Sequence, residues 1–200
     1  MEKSIIIPVY YNYKITEECL LSIEKYTQDY ELIIINNSPD DIELNKVLSK
    51  RDCVIINNTE NKGVAKSWNQ GIERAKGKYL IFLNNDVIVG ENWLDDLISG
   101  LENHWIACVE CGREFAGWCF AITRGRLDYI GKFDEQFEMM WFEDTDYKYR
   151  ILKSGGKINR VKLNITHLSE QTSSKLSDAG RYKMENEKKF INKWNENPTE

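Results

Sequence analysis

Three polar points in this 200-residue sequence could do chemistry. The first is Leu83-Asn84-Asn85-Asp86, a short polar cluster directly after the apolar run that ends at Leu83. Oxygen ligands of this kind suit magnesium or manganese, and a diphosphate could be held beside the cation. An Asp at a strand end is also an ordinary turn former or cap for the next helix. The second is Trp141-Phe142-Glu143-Asp144-Thr145-Asp146, with Arg150 following. Acids at a helix start are stabilised by the helix dipole whatever their role. Here Met139, Met140, Trp141 and Phe142 set them against an apolar wall, where a desolvated carboxylate can serve as a base. The third is His167, one of two histidines, after the apolar stretch Ile158 to Ile165. A lone histidine more often packs or faces solvent, yet imidazole is a common metal ligand.

The elements that must carry these residues follow from hydrophobic pattern. Ser4 to Val9 and Glu31 to Ile35 are β-branched runs that read as strands buried on both faces. Between them Ile15, Cys19, Leu20 and Ile23 share one side of a helix, with Thr16, Glu17 and Glu18 as its cap and first-turn acids. The alternation continues with a helix within Asp40 to Lys50, a strand over Cys53 to Ile56, a helix over Val64 to Ala75 and a strand over Lys78 to Leu83. Such units pair in parallel with right-handed crossovers and build an α/β layer. Ligands then bind beyond the carboxyl ends of the strands. The polar loops there are Tyr10 to Tyr13, Asn36 to Asp41, Asn57 to Gly63 and Asn84 to Asp86. Further on, the pattern predicts a helix near Trp93 to Leu101 and strands near Ala107 to Glu110 and Gly117 to Thr123. It then gives a helix from Glu143 or Asp144 through Leu152 that Gly155 and Gly156 stop, and a strand from Ile158 to Ile165. Residues from Ser177 onward mix Lys, Glu and Asn and read as a solvated helix with a frayed tail; Glu185 and Glu187 among the lysines of Lys183 to Lys193 argue against a lipid-facing patch.

Bulk properties narrow the function. A net charge of -5 disfavours a nucleic-acid partner, because such proteins carry a basic face. No apolar run is long enough for a transmembrane segment and Met1 leads straight into a strand, so the reading is cytoplasmic, at most peripheral to a membrane. Five cysteines in scattered positions read as reduced thiols; Cys108 and Cys111 form a CxxC, but no second pair completes the four ligands of a zinc site. The organisation expected is one domain over 1–176, with a nucleotide-binding half (1–86) and an acceptor half (87–176), then a C-terminal helix and tail (177–200).

Ile7-Pro8-Val9-Tyr10, Ile35-Asn36-Asn37-Ser38, Asn61-Lys62-Gly63-Val64-Ala65 with Asn69 and Gly71, and Leu83-Asn84-Asn85-Asp86 follow one another along the chain. Gly117 with Phe120 and Phe142-Glu143-Asp144-Thr145-Asp146 with Arg150 come later. In this order and spacing they resemble the large family 2 of inverting glycosyltransferases, in particular its bacterial rhamnosyltransferase-like members, over roughly Ser4 to Ser173. The resemblance implies a GT-A fold, a Rossmann-like, mostly parallel central sheet flanked by helices.

The resemblance further implies a nucleotide-sugar donor of UDP, dTDP or GDP type, held by Pro8, Val9, Tyr10, Asn36, Asn61, Gly63, Lys66, Asn84 and Asn85, with Gly117 and Trp118 shaping the donor-sugar and acceptor pocket. Asp86 and His167 would bind Mn2+ or Mg2+, and Ser169 to Ser174 would close over the phosphates. Asp144, with Glu143 beside it, would be catalytic: Asp144 is the general base for an acceptor hydroxyl on a glycan, a lipid-linked sugar or another molecule. Two departures stand out. Asn84-Asn85-Asp86 has one carboxylate where the family's DxD has two, which weakens cation affinity, since amide oxygens attract a hard cation less. Asn36 stands where an Asp usually contacts the base, so the base is left open. Two other readings remain at this level: a non-catalytic nucleotide-sugar or glycan-binding module, and a sugar nucleotidyltransferase. The latter needs a glycine-rich, cationic phosphate loop where this chain has Tyr10-Tyr11-Asn12-Tyr13.

Overall fold

The computed structural model describes residues 2–168 and 178–198. Its first half alternates as the pattern predicts: β1 (Lys3–Val9), α1 (Tyr13–Tyr26), β2 (Tyr30–Asn36), α2 (Ile42–Leu48), β3 (Val54–Asn57), α3 (Val64–Arg74) and β4 (Tyr79–Leu83). The second half comprises β5 (Val87–Val89), α4 (Trp93–Ser99), β6 (Ile106–Val109), β7 (Cys119–Thr123), α5 (Arg124–Ile130), α6 (Glu143–Lys153), β8 (Ile158–Val161), β9 (Ile165–His167) and α7 (Ala179–Trp194). One seven-stranded sheet has the order β3-β2-β1-β4-β7-β6-β8, and β5 pairs with β9 in a separate ribbon. Within the large sheet β7 runs against its neighbours β4 and β6, while the other pairings are parallel. Ile5, Ile6, Ile7 and Ile33, Ile34, Ile35 are all fully buried, as central strands covered by helices on both faces require.

Several local expectations change. The run Ile158 to Ile165 is two strands, not one: β8 adds to the edge of the large sheet, and β9 leaves it to pair with β5. Helix α1 starts at Tyr13, after Tyr11 and Asn12 in the left-handed region, so Glu17 and Glu18 fall beyond its first turn. Thr16 is therefore no cap; its hydroxyl donates to the Asn12 carbonyl at 3.1 Å and accepts from the Asn85 amide at 2.9 Å. Cys108 is buried in β6 while Cys111 is exposed, and both are free thiols. Helix α7 is more than a solvated surface helix. Its Phe190 is fully buried and packs with Phe137 and Tyr149, while Lys193 and the Trp194 indole reach the buried Asp146 carboxylate at 2.6 and 2.9 Å.

An aromatic stack ties the two halves together. Trp68 of α3 packs on Phe82, Phe120 and Phe133, and Phe133 in turn stacks on Tyr147 of α6 with ring centroids 4.3 Å apart. Asn69, beside Trp68, brackets Phe133: its amide donates to the Phe133 carbonyl at 2.9 Å and its oxygen accepts the Phe133 N–H at 2.9 Å. The same amide also reaches Glu135 at 2.8 Å. Removing this side chain strands two buried backbone groups, each costing about 1–3 kcal/mol. Asn69→Ala is therefore expected to lose roughly 2–4 kcal/mol in urea unfolding, and a loss below 1 kcal/mol would show that the bracket is dispensable.

Candidate active site

The site begins where the sheet opens. β1 and β4 pair as far as Ile6 opposite Phe82, and beyond that point the two strands have no shared ladder. Pro8, which cannot donate, sits past the last β1–β4 partner and takes nothing from it. This gap is the topological switch point of the sheet, since β2 lies on one side of β1 and β4 on the other. A cavity fills it. Pro8, Val9 and Tyr10 line one side, Asn84 and Asn85 another, and Asn37, Asn61, Gly63 and Val64 the floor, with Met139 and Met140 closing it.

Of the residues expected to hold a nucleotide, Asn36 and Lys66 lie outside this lining. Asn36 is fully buried, and both its N–H donors are committed, to Asn45 at 3.1 Å and Asn57 at 2.9 Å. Its oxygen accepts from the Ser38 amide at 2.9 Å. A side-chain amide has only two donors, so Asn36 braces the loops after β2 and β3 and has none left for a ligand. Its neighbour Asn37 lines the cavity instead, with one donor on Ser67 at 3.0 Å and its oxygen accepting from Asn58 and the Lys62 N–H. Lys66 is exposed on α3. Register explains the swap: Asn36 still pairs with Val9 as strand, so the first loop residue is Asn37.

The cavity's fourth wall is strained backbone. Met139, Trp141 and Phe142 all have left-handed φ, at 61°, 70° and 74°. Each such residue costs roughly 1–3 kcal/mol unless its surroundings hold it. Gly63, itself at φ 78°, lets that wall approach: a Cβ there would lie 2.6 Å from the Met139 Cα and backbone N. The Met139 carbonyl in turn accepts the Val64 N–H, at the start of α3, at 2.6 Å. Sequence reading saw the methionines as an apolar neighbour of the acids; that they also close the pocket depends on this backbone path.

The two chemical centres meet through one dipeptide. The β5–β9 pairing sets Val87 opposite His167, which brings the His167 Nε2 within 3.1 Å of the Asp86 Oδ1. The Trp118 ring stacks on His167 with centroids 4.4 Å apart and planes at 12°. The Trp118 carbonyl accepts the Asn84 N–H at 3.0 Å, locking the exit of β4 to the entry of β7. Gly117, next to it, lies against Asp144: a Cβ on Gly117 would be 2.7 Å from the Asp144 Cβ and 2.9 Å from its Cγ. Asp86 and Asp144, 58 positions apart in sequence, thus sit on either side of Gly117 and Trp118.

Burial sets the electrostatics. Glu143 is 6% exposed, and one of its carboxylate oxygens has no hydrogen-bond partner. Desolvation first, and the neighbouring Asp144 charge second, push the Glu143 carboxyl well above its ordinary range. Asp144 is raised too, by desolvation, against the lowering effect of Thr145, whose N–H donates to the Asp144 Oδ1 at 2.7 Å, and of the Arg113 charge. Asp86 is buried at 4% exposure, and among the described residues no third His, Cys, Asp or Glu joins Asp86 and His167. The segment Ser169 to Ser174, expected to close over phosphates, lies outside the described residues.

Residues 4–164 match the glycosyl transferase family 2. The chain belongs to that family. The uncharacterized glycosyltransferase EpsJ of Bacillus subtilis (strain 168) is 32% identical over 113 residues, 54% of this chain and 33% of that protein. The poly(ribitol-phosphate) beta-glucosyltransferase of Bacillus spizizenii is 34% identical over 102 residues, 47% of this chain and 16% of that one. The family 2 chain therefore spans a third or less of the length of these relatives. Among solved structures, a mannosyltransferase from Pyrobaculum calidifontis in complex with GDP-Man and Mn2+ matches with a TM-score of 0.70 at 15% identity, over 86% of this chain and 59% of that one. GalNAc-T7 with UDP, GalNAc and Mn2+ matches with a TM-score of 0.74 at 15% identity, over 96% and 48%. The fold is GT-A, as the sequence motifs imply. None of these four names rhamnose, so the rhamnosyltransferase side of the resemblance gains no support from them.

The buried acids of this family 2 site make stability depend on pH. A carboxyl whose folded pKa lies above its unfolded value folds more favourably when protonated, so its cost is absent below the unfolded pKa and grows as pH rises towards the folded one. For Glu143 the ordinary value is 4.5 and the folded value is well above it. Glu143→Gln, neutral at every pH, is expected to melt higher than the parent at about pH 8 and to converge with it near about pH 4. Melting temperatures across that range check this; parallel curves would mean that folding does not raise the Glu143 pKa.

Proposed function

We propose that the protein is an inverting, metal-assisted glycosyltransferase that moves a sugar from a nucleoside-diphosphate carrier to an acceptor hydroxyl. The observation that carries this reading is that Asp144 and the Asp86–His167 pair rest on adjacent residues, Gly117 and Trp118, and that the Trp118 carbonyl holds the N–H of Asn84, which lines the switch-point cavity. That arrangement offers a base, a cation position and a nucleotide pocket within one cleft. Relatives of this fold whose structures hold GDP-Man or UDP, each with Mn2+, support the donor class.

Pro8, Val9, Tyr10, Asn37, Asn61 and Gly63 would hold the nucleoside, with Met139 and Met140 excluding water from its other face. Asn84 and Asn85 would lie along the diphosphate. Asp86 and His167 would hold the cation. The two fit one: a carboxylate oxygen and an imidazole nitrogen converge at 3.1 Å, a mixed donor set that manganese accepts more readily than magnesium, which prefers an all-oxygen shell. With two protein ligands, diphosphate oxygens and water would complete its coordination. When bound, the cation supplies Lewis-acid and electrostatic stabilisation to the charge that develops on the leaving diphosphate.

Asp144 would take the proton from the acceptor hydroxyl as that oxygen bonds to the anomeric carbon from the face opposite the breaking bond. The nucleoside diphosphate then leaves with the bonding pair, and the anomeric configuration inverts. Desolvation strengthens Asp144 as a base by moving its pKa towards the operating pH, while the Thr145 N–H steadies its other oxygen. Glu143 lies beside it, its carboxyl pushed well above the ordinary range by desolvation and by the Asp144 charge. The acceptor would be a glycan, a lipid-linked sugar or another hydroxyl compound approaching over Gly117 and Trp118. No helix among the described residues is long and apolar enough to cross a membrane.

Two arms test the reading. Asp144→Asn is expected to lower transfer about a hundredfold or more, the usual worth of general-base catalysis. Binding of UDP or GDP with Mn2+, followed by calorimetry, should stay within about threefold of the parent, and chelation should weaken it in both proteins. Undiminished transfer by Asp144→Asn would remove its role as base. Nucleotide binding without transfer in the parent, across a panel of nucleotide sugars, would favour a non-catalytic binding module.

A further inference from the structure

We infer that Asn186 is a positioning residue: one carboxamide on α7 holds the strained segment Glu138 to Trp141 in the path that closes the donor pocket and leads into the helix bearing Asp144. The consequence for binding rests on the glycosyltransferase reading above, whereas the backbone contact does not. Asn186 is fully buried. Its Nδ2 donates to the carbonyls of Glu138 at 2.8 Å, Met140 at 3.0 Å and Trp141 at 3.2 Å. Its Oδ1 accepts the Glu138 N–H at 3.3 Å. Two N–H groups serve three carbonyls, so one bond is shared.

The chemistry of the segment requires such a partner. Left-handed φ at Met139, Trp141 and Phe142 turns successive peptide planes away from any helix or strand ladder. The carbonyls so displaced need donors, because buried backbone oxygens left unpaired are costly. Packing of α7 does not explain the residue. Phe190 in its apolar cluster and Lys193 and Trp194 on Asp146 already dock the helix, and an apolar side chain at 186 would pack as well without the cost of burying an amide.

The ends of the held segment reach the two halves of the site. At one end the Met139 carbonyl accepts the Val64 N–H at 2.6 Å, and the Met139 backbone lies against Gly63 in the pocket wall. At the other the Phe142 carbonyl accepts the Asp146 N–H at 2.8 Å, in the first turn of α6 next to Asp144. Asn186 is 42 positions beyond Asp144, yet through this bridge it acts on both the nucleotide wall and the base.

Hydrogen exchange in the full chain, read together with nucleotide binding, tests the inference. Asn186→Asp keeps the size and the acceptor oxygen but replaces the donor with an oxygen facing three carbonyls; Asn186→Ala removes both. The Val64 and Asp146 amides are expected to exchange at least tenfold faster in both variants, with Asp at least as fast as Ala, while the Ile5, Ile6 and Ile7 amides keep their protection. Binding of UDP or GDP with Mn2+ should weaken at least tenfold. Parent-like exchange at Val64 in Asn186→Asp would overturn the inference, and so would accelerated exchange with unchanged nucleotide affinity. A parent that binds neither nucleotide would remove the donor reading and leave the exchange arm to decide the backbone contact. Should neither variant fold, the parent answers alone: the Asn186 side-chain amide and the Val64 amide should share one urea dependence of exchange, and Val64 opening while Asn186 stays protected would refute the coupling.

Discussion

Close contact between the Gly117 backbone and the Asp144 carboxylate is the constraint around which the cleft is built. No side chain fits between them, so the entry of β7 can run directly beneath α6. The residue after Gly117 then becomes the hinge of the site. Trp118 binds the exit of β4 through its carbonyl and stacks its ring on His167. Inserting β7 between β4 and β6 is what brings this dipeptide to the carboxyl end of β4. A sheet in which β6 lay next to β4 would leave Asp86 and Asp144 without a common neighbour.

The site concentrates features that work against stability. Two adjacent carboxyls are desolvated at the head of α6, and a buried Glu143 oxygen has no partner. Three residues on the segment before them occupy the left-handed region. Strain and unpaired polar groups of this sort persist only where the surrounding structure over-determines them. Here the surroundings are the Trp68–Phe133–Tyr147 stack, the Asn69 bracket on Phe133 and the docking of α7 on Asp146. Rigid apolar packing behind the cleft thus offsets the cost of polar groups arranged for chemistry in front of it. The neutral amides around Asn36, Asn37 and Asn58 do the same for the loops after β2 and β3, which they cross-link without adding charge beside the cavity.

Much of this was legible in the order of residues. The apolar runs of β1, β2 and β4 each commit a segment to a strand buried on both faces, the run in β3 gives a half-exposed edge strand, and local hydrophobic pattern is enough to read all four. The acids at 143–146 beside an apolar stretch, and a lone carboxylate after β4, were visible as candidates because residue type and immediate neighbours single them out. Two elements escaped: β5 has three residues, too few for a period to emerge, and α5 buries only Leu127, so it carries no apolar face to read. The break between β8 and β9 escaped as well, because an apolar run does not say which sheet it joins.

What the sequence determined by itself was therefore the class of fold, the strand ends where a ligand would sit and the identity of the acids, all of which follow from local pattern. Tertiary structure decided which of two adjacent asparagines faces the cavity, that Asp86 meets His167, and that a lysine-rich terminal helix buries Asn186 against the pocket wall. Those outcomes depend on register and on contacts between residues far apart in the chain. A single residue's shift along a strand exchanges the faces, and no local period records where a distant helix will dock.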